Sequence, residues 1–180
     1  MALNSQVVFI GGSAGVGKTS VAMELHEQLI RAGVQHCVIE GDNLDLAWPV
    51  PHERGLHLAE RHLAFMWRSY QAAGYSRLIY TNTASVQASV LASLLEALGG
   101  NPLVHAVLLR AVTTTVAERL TRREIGSGLA DHVTHSGTSR QALDDAAPDW
   151  VLRIDTDGRT VTDIAAEIAG DLGWADQTTR

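Results

Sequence analysis

The sequence holds a single cysteine, Cys37, in 180 residues. One thiol makes no internal disulfide and no cysteine metal set, which fits a reducing, cytoplasmic setting. A basic tract is also lacking. Lys and Arg number 14 against 20 Asp and Glu, a net charge of -6, so nucleic acid is not an expected partner. Long apolar runs are lacking too. The run Val7-Val8-Phe9-Ile10 is short, and Met1 to Gln6 before it carries no basic residue, so neither a signal peptide nor a membrane span is expected. No internal repeat, low-complexity tract or interdomain linker breaks the chain. With 46% hydrophobic and 19% charged residues the composition is globular, and residues 1–180 read as one domain.

What the chain has is alternation. Strand-like apolar runs at Val7–Ile10, His36–Glu40, Arg77–Tyr80, Val104–Leu109 and Trp150–Ile154 alternate with helical patterns. The clearest stripe is Leu56, Ala59, Leu63, Met66, Tyr70 and Ala73, at intervals of three and four, ended by Gly74. Its exposed side is a candidate surface for pairing with a second copy. Such alternation predicts an α/β fold, a five-stranded parallel sheet with helices on both faces. In such sheets ligands bind at the carboxyl ends of the strands. About residues 124–140 the chain is rich in Gly, Ser, Thr and His and has no period, so it reads as a small mobile lid.

Between the first strand and the first helix lies Gly12-Ser13-Ala14-Gly15-Val16-Gly17-Lys18-Thr19, followed by Ser20. Every fixed position of the P-loop pattern G-x-x-x-x-G-K-[ST] is met, in the strand-to-helix context it requires. The glycines let backbone N–H groups turn inward on a phosphate, and the helix N-terminus adds partial positive charge. Lys18 reaches the β- and γ-phosphates, and the Thr19 hydroxyl is the candidate Mg²⁺ ligand. ATP and Mg²⁺ are the expected cofactors of a three-layer P-loop NTPase fold.

Other absences narrow the class. No N-K-x-D is present to read guanine, and the strands ending at Tyr80-Thr81-Asn82 and Leu109-Arg110-Ala111 supply no metal-holding carboxylate of the motor type. Asp42, in Gly41-Asp42-Asn43 after the second strand, would face the γ-phosphate and act on an acceptor hydroxyl, or it caps a turn. Arg119, Arg122 and Arg123 share a helix face leading into the lid. They would close over the transferring phosphate, or they form a solvated basic face. Asn82 bonds the acceptor or caps the next helix, expected near Ala84. Trp48 gives a bulky acceptor an apolar wall, or anchors its loop as a buried residue. His132 and His135 have ligand-like spacing but no cysteine partner, which argues against zinc.

These pieces resemble the small P-loop kinases: adenylylsulfate kinase, gluconate kinase, shikimate kinase and the chloramphenicol phosphotransferase type. Glu40-Gly41-Asp42-Asn43 is similar to the adenylylsulfate kinase pattern, whose Asp sits at the acceptor. That pattern continues with an arginine, where this chain has Leu44. The resemblance implies that the turn Thr156-Asp157-Gly158-Arg159 packs on the adenine, mostly through backbone. Shikimate kinases hold their acid with early arginines, which points to Arg54 and Arg61. The site thus expected adds Asn43, Trp48, Arg61 and Asn82 to Asp42 on the acceptor side. The expected activity is transfer of phosphate to a hydroxyl of a small molecule. The rivals are a nucleoside or nucleotide kinase and a nucleotide-binding regulatory ATPase.

Overall fold

The computed structural model describes residues 5–123 and 140–176. The elements in chain order are β1 (Gln6–Gly11), α1 (Lys18–Arg31), β2 (Cys37–Glu40), a 3₁₀ turn (Gly41–Asn43), a second (His52–Arg54) and α2 (Leu58–Ala72). There follow β3 (Arg77–Thr81), α3 (Ala88–Leu98), β4 (Leu103–Arg110), α4 (Thr113–Arg123), α5 (residues 140–146), β5 (Leu152–Asp155) and α6 (Val161–Leu172). Of the lid expected at about residues 124–140, all but residue 140 lies outside the described residues, as do His132 and His135. No helix among the described residues is long and apolar enough to cross a membrane.

The five strands are parallel, in the order β2-β3-β1-β4-β5. The strands are apolar on both faces, so both faces must be covered. Val8 and Ile10 of β1, with Val107 and Leu109 of β4, pack against Val21, Leu25 and Leu29 of α1 and Ile164 and Ile168 of α6. Val7 and Phe9, with Leu78 and Tyr80 of β3, pack against Leu63 and Trp67 of α2 and Leu91 and Leu94 of α3. The alternation of side chains along a strand makes these two cores separate layers.

Two helical expectations shift. The stripe read from Leu56 to Ala73 is shorter as a helix. Leu56 lies in a preceding turn, its N–H donating to Pro51 O, and is 42% exposed. Leu63 and Trp67 fill the core instead, with Met66 and Tyr70 at the margin. The helix expected near Ala84 begins at Ala88. Residues 82–87 form turns of their own, in which Ser85 N donates to Asn82 O and Gln87 N to Ala84 O.

Charged side chains fasten α5 to the sheet. Arg110 at the end of β4 donates twice to Asp155 at the end of β5, both bonds at 3.0 Å. Asp144 of α5 accepts from Arg110 at 3.3 Å and from Arg153 at 2.7 Å. The Arg153 hydrogen bond, then that of Arg110, holds the Asp144 carboxyl below the usual carboxylate range against the effect of burial. Between α1 and β2, the buried His36 donates from Nδ1 to Val34 O at 2.8 Å. Its Nε2 is therefore an acceptor, and His26 Nδ1 donates to it at 2.8 Å. Burial lowers the pKa of His36. The one cysteine is buried as expected, and burial pushes its thiol up to about 12.

Candidate active site

Glycine is needed in the P-loop for two separate reasons. Gly12, Gly15 and Gly17 have φ of 141°, 79° and 103°, in the left-handed half of conformational space. At Gly12 a Cβ would also lie 2.6 Å from Leu109 O of the neighbouring strand. Gly17 precedes α1 with no side-chain cap, so the first-turn N–H groups are not taken by a capping oxygen. Lys18 is buried, 8% exposed, and curls over its own loop. Its Nζ donates to Gly12 O at 2.9 Å, Ser13 O at 3.4 Å and Thr83 Oγ1 at 3.3 Å.

The strand order sets β2 and β3 beside β1, so their carboxyl ends meet the P-loop. Asp42 Oδ1 accepts from Asn82 Nδ2 at 2.9 Å and from Thr83 N at 3.0 Å, while Oδ2 lies 3.9 Å from Lys18 Nζ. Asp42, Asn82 and Lys18 are thus brought together. Asn82 bonds on both sides of its amide, to Asp42 and within a turn that precedes α3. Its amide nitrogen holds Asp42, and its oxygen accepts from Ala84 N at 2.9 Å to close the turn. Gly41 is needed for close approach. A Cβ there would meet Tyr80 Oη at 2.2 Å, Tyr80 Cζ at 2.4 Å and Thr81 O at 2.8 Å. Burial, then the charges of Asp42, Glu60 and Asp45, push the Tyr80 phenol upward, so this end of the sheet is acidic.

The sequence reading passed over Glu40. Thr19 Oγ1 donates to Glu40 Oε1 at 2.7 Å. The carboxylate beside Thr19 stands at the end of β2, two residues before Asp42, and not at the end of β3 or β4. An acidic residue closing a buried strand was the available signal. Among the described residues no three His, Cys, Asp or Glu gather around one point. A hydroxyl and one carboxylate, both hard oxygens, fit Mg²⁺, which keeps waters and phosphate oxygens in its shell.

Across β1, the turn after β5 is tied to the P-loop. Thr156 N donates to Arg110 O at 2.8 Å. Arg119 Nη1 donates to Thr156 Oγ1 at 2.9 Å and Val16 O at 3.2 Å, and Nη2 to Thr156 O at 3.1 Å. Asp157 Oδ2 accepts from Val112 N at 2.9 Å. A bond from Thr115, then that from Val112 and the charge of Arg119, lower its pKa. Arg159 pairs with Glu167 of α6 at 2.7 Å. Arg119 therefore spans from the P-loop to the Thr156–Arg159 turn. Arg122 and Arg123 occupy the last turn of α4, and their side chains lie outside what is described.

The remaining acceptor-side expectations divide. Asn43 is exposed beside Asp42. Trp48 is 87% exposed, which corrects its reading as a buried loop anchor. Arg61 lies on α2 and lines a cavity of about 410 Å³ with Glu60, Ser93 and Glu96, away from any P-loop lining residue. Leu44 packs against the α2–α3 core layer.

The strand order, the P-loop on the central strand and the covered sheet define the fold of the small P-loop kinases. The family profile described as adenylylsulphate kinase matches residues 4–64, the part that holds the P-loop and the Gly41–Asn43 turn. No curated protein matches the chain in sequence. Among solved structures, the chain is similar to a tunicamycin resistance protein of Deinococcus radiodurans. Their identity is 24%, over 94% of this chain and 96% of that one, with a TM-score of 0.64. It is similar to an APS kinase of Mycobacterium tuberculosis, solved with AMPPNP and APS, at 21% identity over 94% and 98% of the chains and a TM-score of 0.62. A gluconokinase of Sinorhizobium meliloti is 19% identical over 94% and 95% of the chains, with a TM-score of 0.59.

Proposed function

We propose that the protein is an ATP- and Mg²⁺-dependent phosphotransferase that acts on a hydroxyl of a small molecule. The observation that carries this reading is the placement of Asp42. Its carboxylate is fixed by Asn82 and Thr83 beside Lys18, next to the Glu40–Thr19 pair. A carboxylate oriented there by hydrogen bonds to Oδ1 is preorganised to orient a hydroxyl and take its proton. The acceptor oxygen forms the new bond to phosphorus, the bond from phosphorus to the bridging oxygen of ADP breaks, and the proton goes to Asp42.

Lys18 exchanges its carbonyl partners for phosphate oxygens, and the P-loop N–H groups complete the cradle. Thr19 and Glu40 would hold Mg²⁺, which would neutralise charge on the phosphates. Arg119 fixes the Thr156–Arg159 turn against the P-loop, so that its backbone meets the base. Arg122 and Arg123, on the same helix, are the further candidates for the transferring phosphate. On the acceptor side stand Asp42, Asn43, Asn82 and Trp48. The exposed Leu46 and Trp48 in the loop after Asp42, together with the likeness to a tunicamycin resistance protein, favour an acceptor with apolar bulk, such as a natural product.

The test is Asp42→Asn. It keeps the shape of the side chain and removes the base, so affinity for an ATP analogue stays within about threefold while turnover falls about 10²–10⁴-fold. Calorimetric titration reads the first. ADP release across a panel of sugars, nucleosides and apolar natural products reads the second. Normal turnover by the variant on the acceptor so found refutes the role of Asp42. ATP binding by the native protein with no transfer to any hydroxyl refutes the phosphotransferase reading.

A further inference from the structure

From Leu78 to Tyr80, β3 is apolar and buried. Leu78, Ile79 and Tyr80 are each at most 1% exposed. Thr81 is also 1% exposed, yet its Oγ1 has no hydrogen-bond partner among the described residues. A buried hydroxyl left unpaired destabilises a fold relative to an apolar group of the same shape, which valine would supply. The direction of the side chain follows from the strand. Ile79 packs in the α1 layer, whereas Leu78 and Tyr80 pack toward α2 and α3, so Thr81 points to the α1 side. On the ladder Thr81 stands opposite Glu40 of β2 and Ile10 of β1. The Glu40 carboxylate also lies on the α1 side, because it accepts from Thr19 of α1. The oxygens of Thr19, Glu40 and Thr81 therefore share one face at the carboxyl ends of the strands.

We infer that Thr81 is a positioning residue for the divalent cation. Resting on the phosphotransferase reading, the inference is that its hydroxyl hydrogen-bonds a water of the cation held at Thr19 and Glu40. It orients the hydration shell from β3 without adding charge. A carboxylate at this position would stand next to Glu40 and repel it. A hydroxyl beside a single carboxylate keeps the charge of the protein donors at one, which suits a cation already neutralised in part by phosphates.

The experiment measures Mn²⁺ binding to the full chain in the presence of ADP, by the paramagnetic resonance signal of free Mn²⁺, together with the melting temperature of the metal-free protein. Thr81→Val is expected to leave the metal-free melting temperature unchanged or higher. Its Mn²⁺ dissociation constant rises about tenfold, as for loss of other outer-shell partners. Thr81→Ser, which restores the hydroxyl, returns Mn²⁺ affinity to within about twofold of the native protein. Where Thr81→Val does not fold, Thr81→Ala against Thr81→Ser makes the same comparison. Native Mn²⁺ affinity in the hydroxyl-free variants overturns the role of Thr81 alone. Failure of the native protein to bind Mn²⁺ with ADP overturns the phosphotransferase reading and this inference with it.

Discussion

Substituting Gly41 by alanine sets two effects against each other. Gly41 is not among the glycines of left-handed φ, so alanine fits its backbone and narrows the unfolded ensemble. That alone stabilises by about 0.4–1 kcal/mol. Against it stands the packing. The new Cβ would lie 2.2 and 2.4 Å from Tyr80 Oη and Cζ and 2.8 Å from Thr81 O, where ordinary contact is about 3.5–4 Å. Tyr80 is 1% exposed and stacked edge-on to Phe9 at 5.5 Å, so the ring has nowhere to swing. Overpacking of this kind costs about 1–3 kcal/mol, so the clash wins by about 1–2 kcal/mol. For a chain of this length that lowers the melting temperature by about 2–8 °C. The strain is relieved by lifting the Gly41–Asn43 turn, which carries Asp42 away from Asn82 and Thr83. A displacement of about 1 Å at such a group lowers turnover about 10²-fold, whereas the P-loop, built on β1, keeps its nucleotide affinity. Scanning calorimetry, ATP-analogue titration and ADP release read the three quantities. In the double variant with Tyr80→Phe, loss of Oη recovers part of the stability, since Cζ remains in the way. Native melting temperature and turnover in Gly41→Ala would refute the close-approach argument.

Two pH predictions follow from Asp144 and His36. The Asp144 carboxyl is held low by Arg153 and Arg110, so its contribution is complete above the unfolded value of about 3.9 and is lost as pH falls through the lower folded value. Asp144→Asn should lower the melting temperature at neutral pH and flatten its decline below about pH 4, and an unchanged acid limb counts against the network. Burial keeps His36 neutral in the fold, whereas the unfolded chain takes up a proton near the ordinary 6.5. Stability from this site is therefore full above that value and lost as pH falls below it. His36→Gln should remove part of the decline in melting temperature as pH falls below about 6.5, and an identical slope in the variant contradicts the assignment.

The P-loop was legible because its chemistry needs fixed residues at fixed spacing within one stretch. The alternation of strands and helices was legible because both faces of a parallel sheet must be apolar. Boundaries slipped where a local turn competed with a helix. Asn82 draws the chain after β3 into its own turn, and the segment from Pro51 to Leu56 closes before α2 begins. The spacing of Leu56, Leu63 and Ala73 suggested a stripe, but the large side chain of Trp67 decides which face fills the core. Glu40 was not legible as a partner of Thr19, since nothing in sequence order says that α1 lies over the end of β2. Trp48 is the opposite case, a large apolar residue expected inside and found in solvent. Its loop follows Asp42, so burial by a ligand remains available to it in a way that burial by the chain does not.

The strand order has a consequence for how such a protein changes its substrate. With the P-loop on the middle strand, the acceptor-side residues come from β2 and β3, and the Thr156–Arg159 turn comes from β5 beyond β4. In the proposed function one flank of the sheet would face the acceptor and the other the nucleotide. On that reading, replacing the loops after β2 and β3 would retarget transfer and leave Arg119 and its hydrogen bonds to Val16 and Thr156 in place.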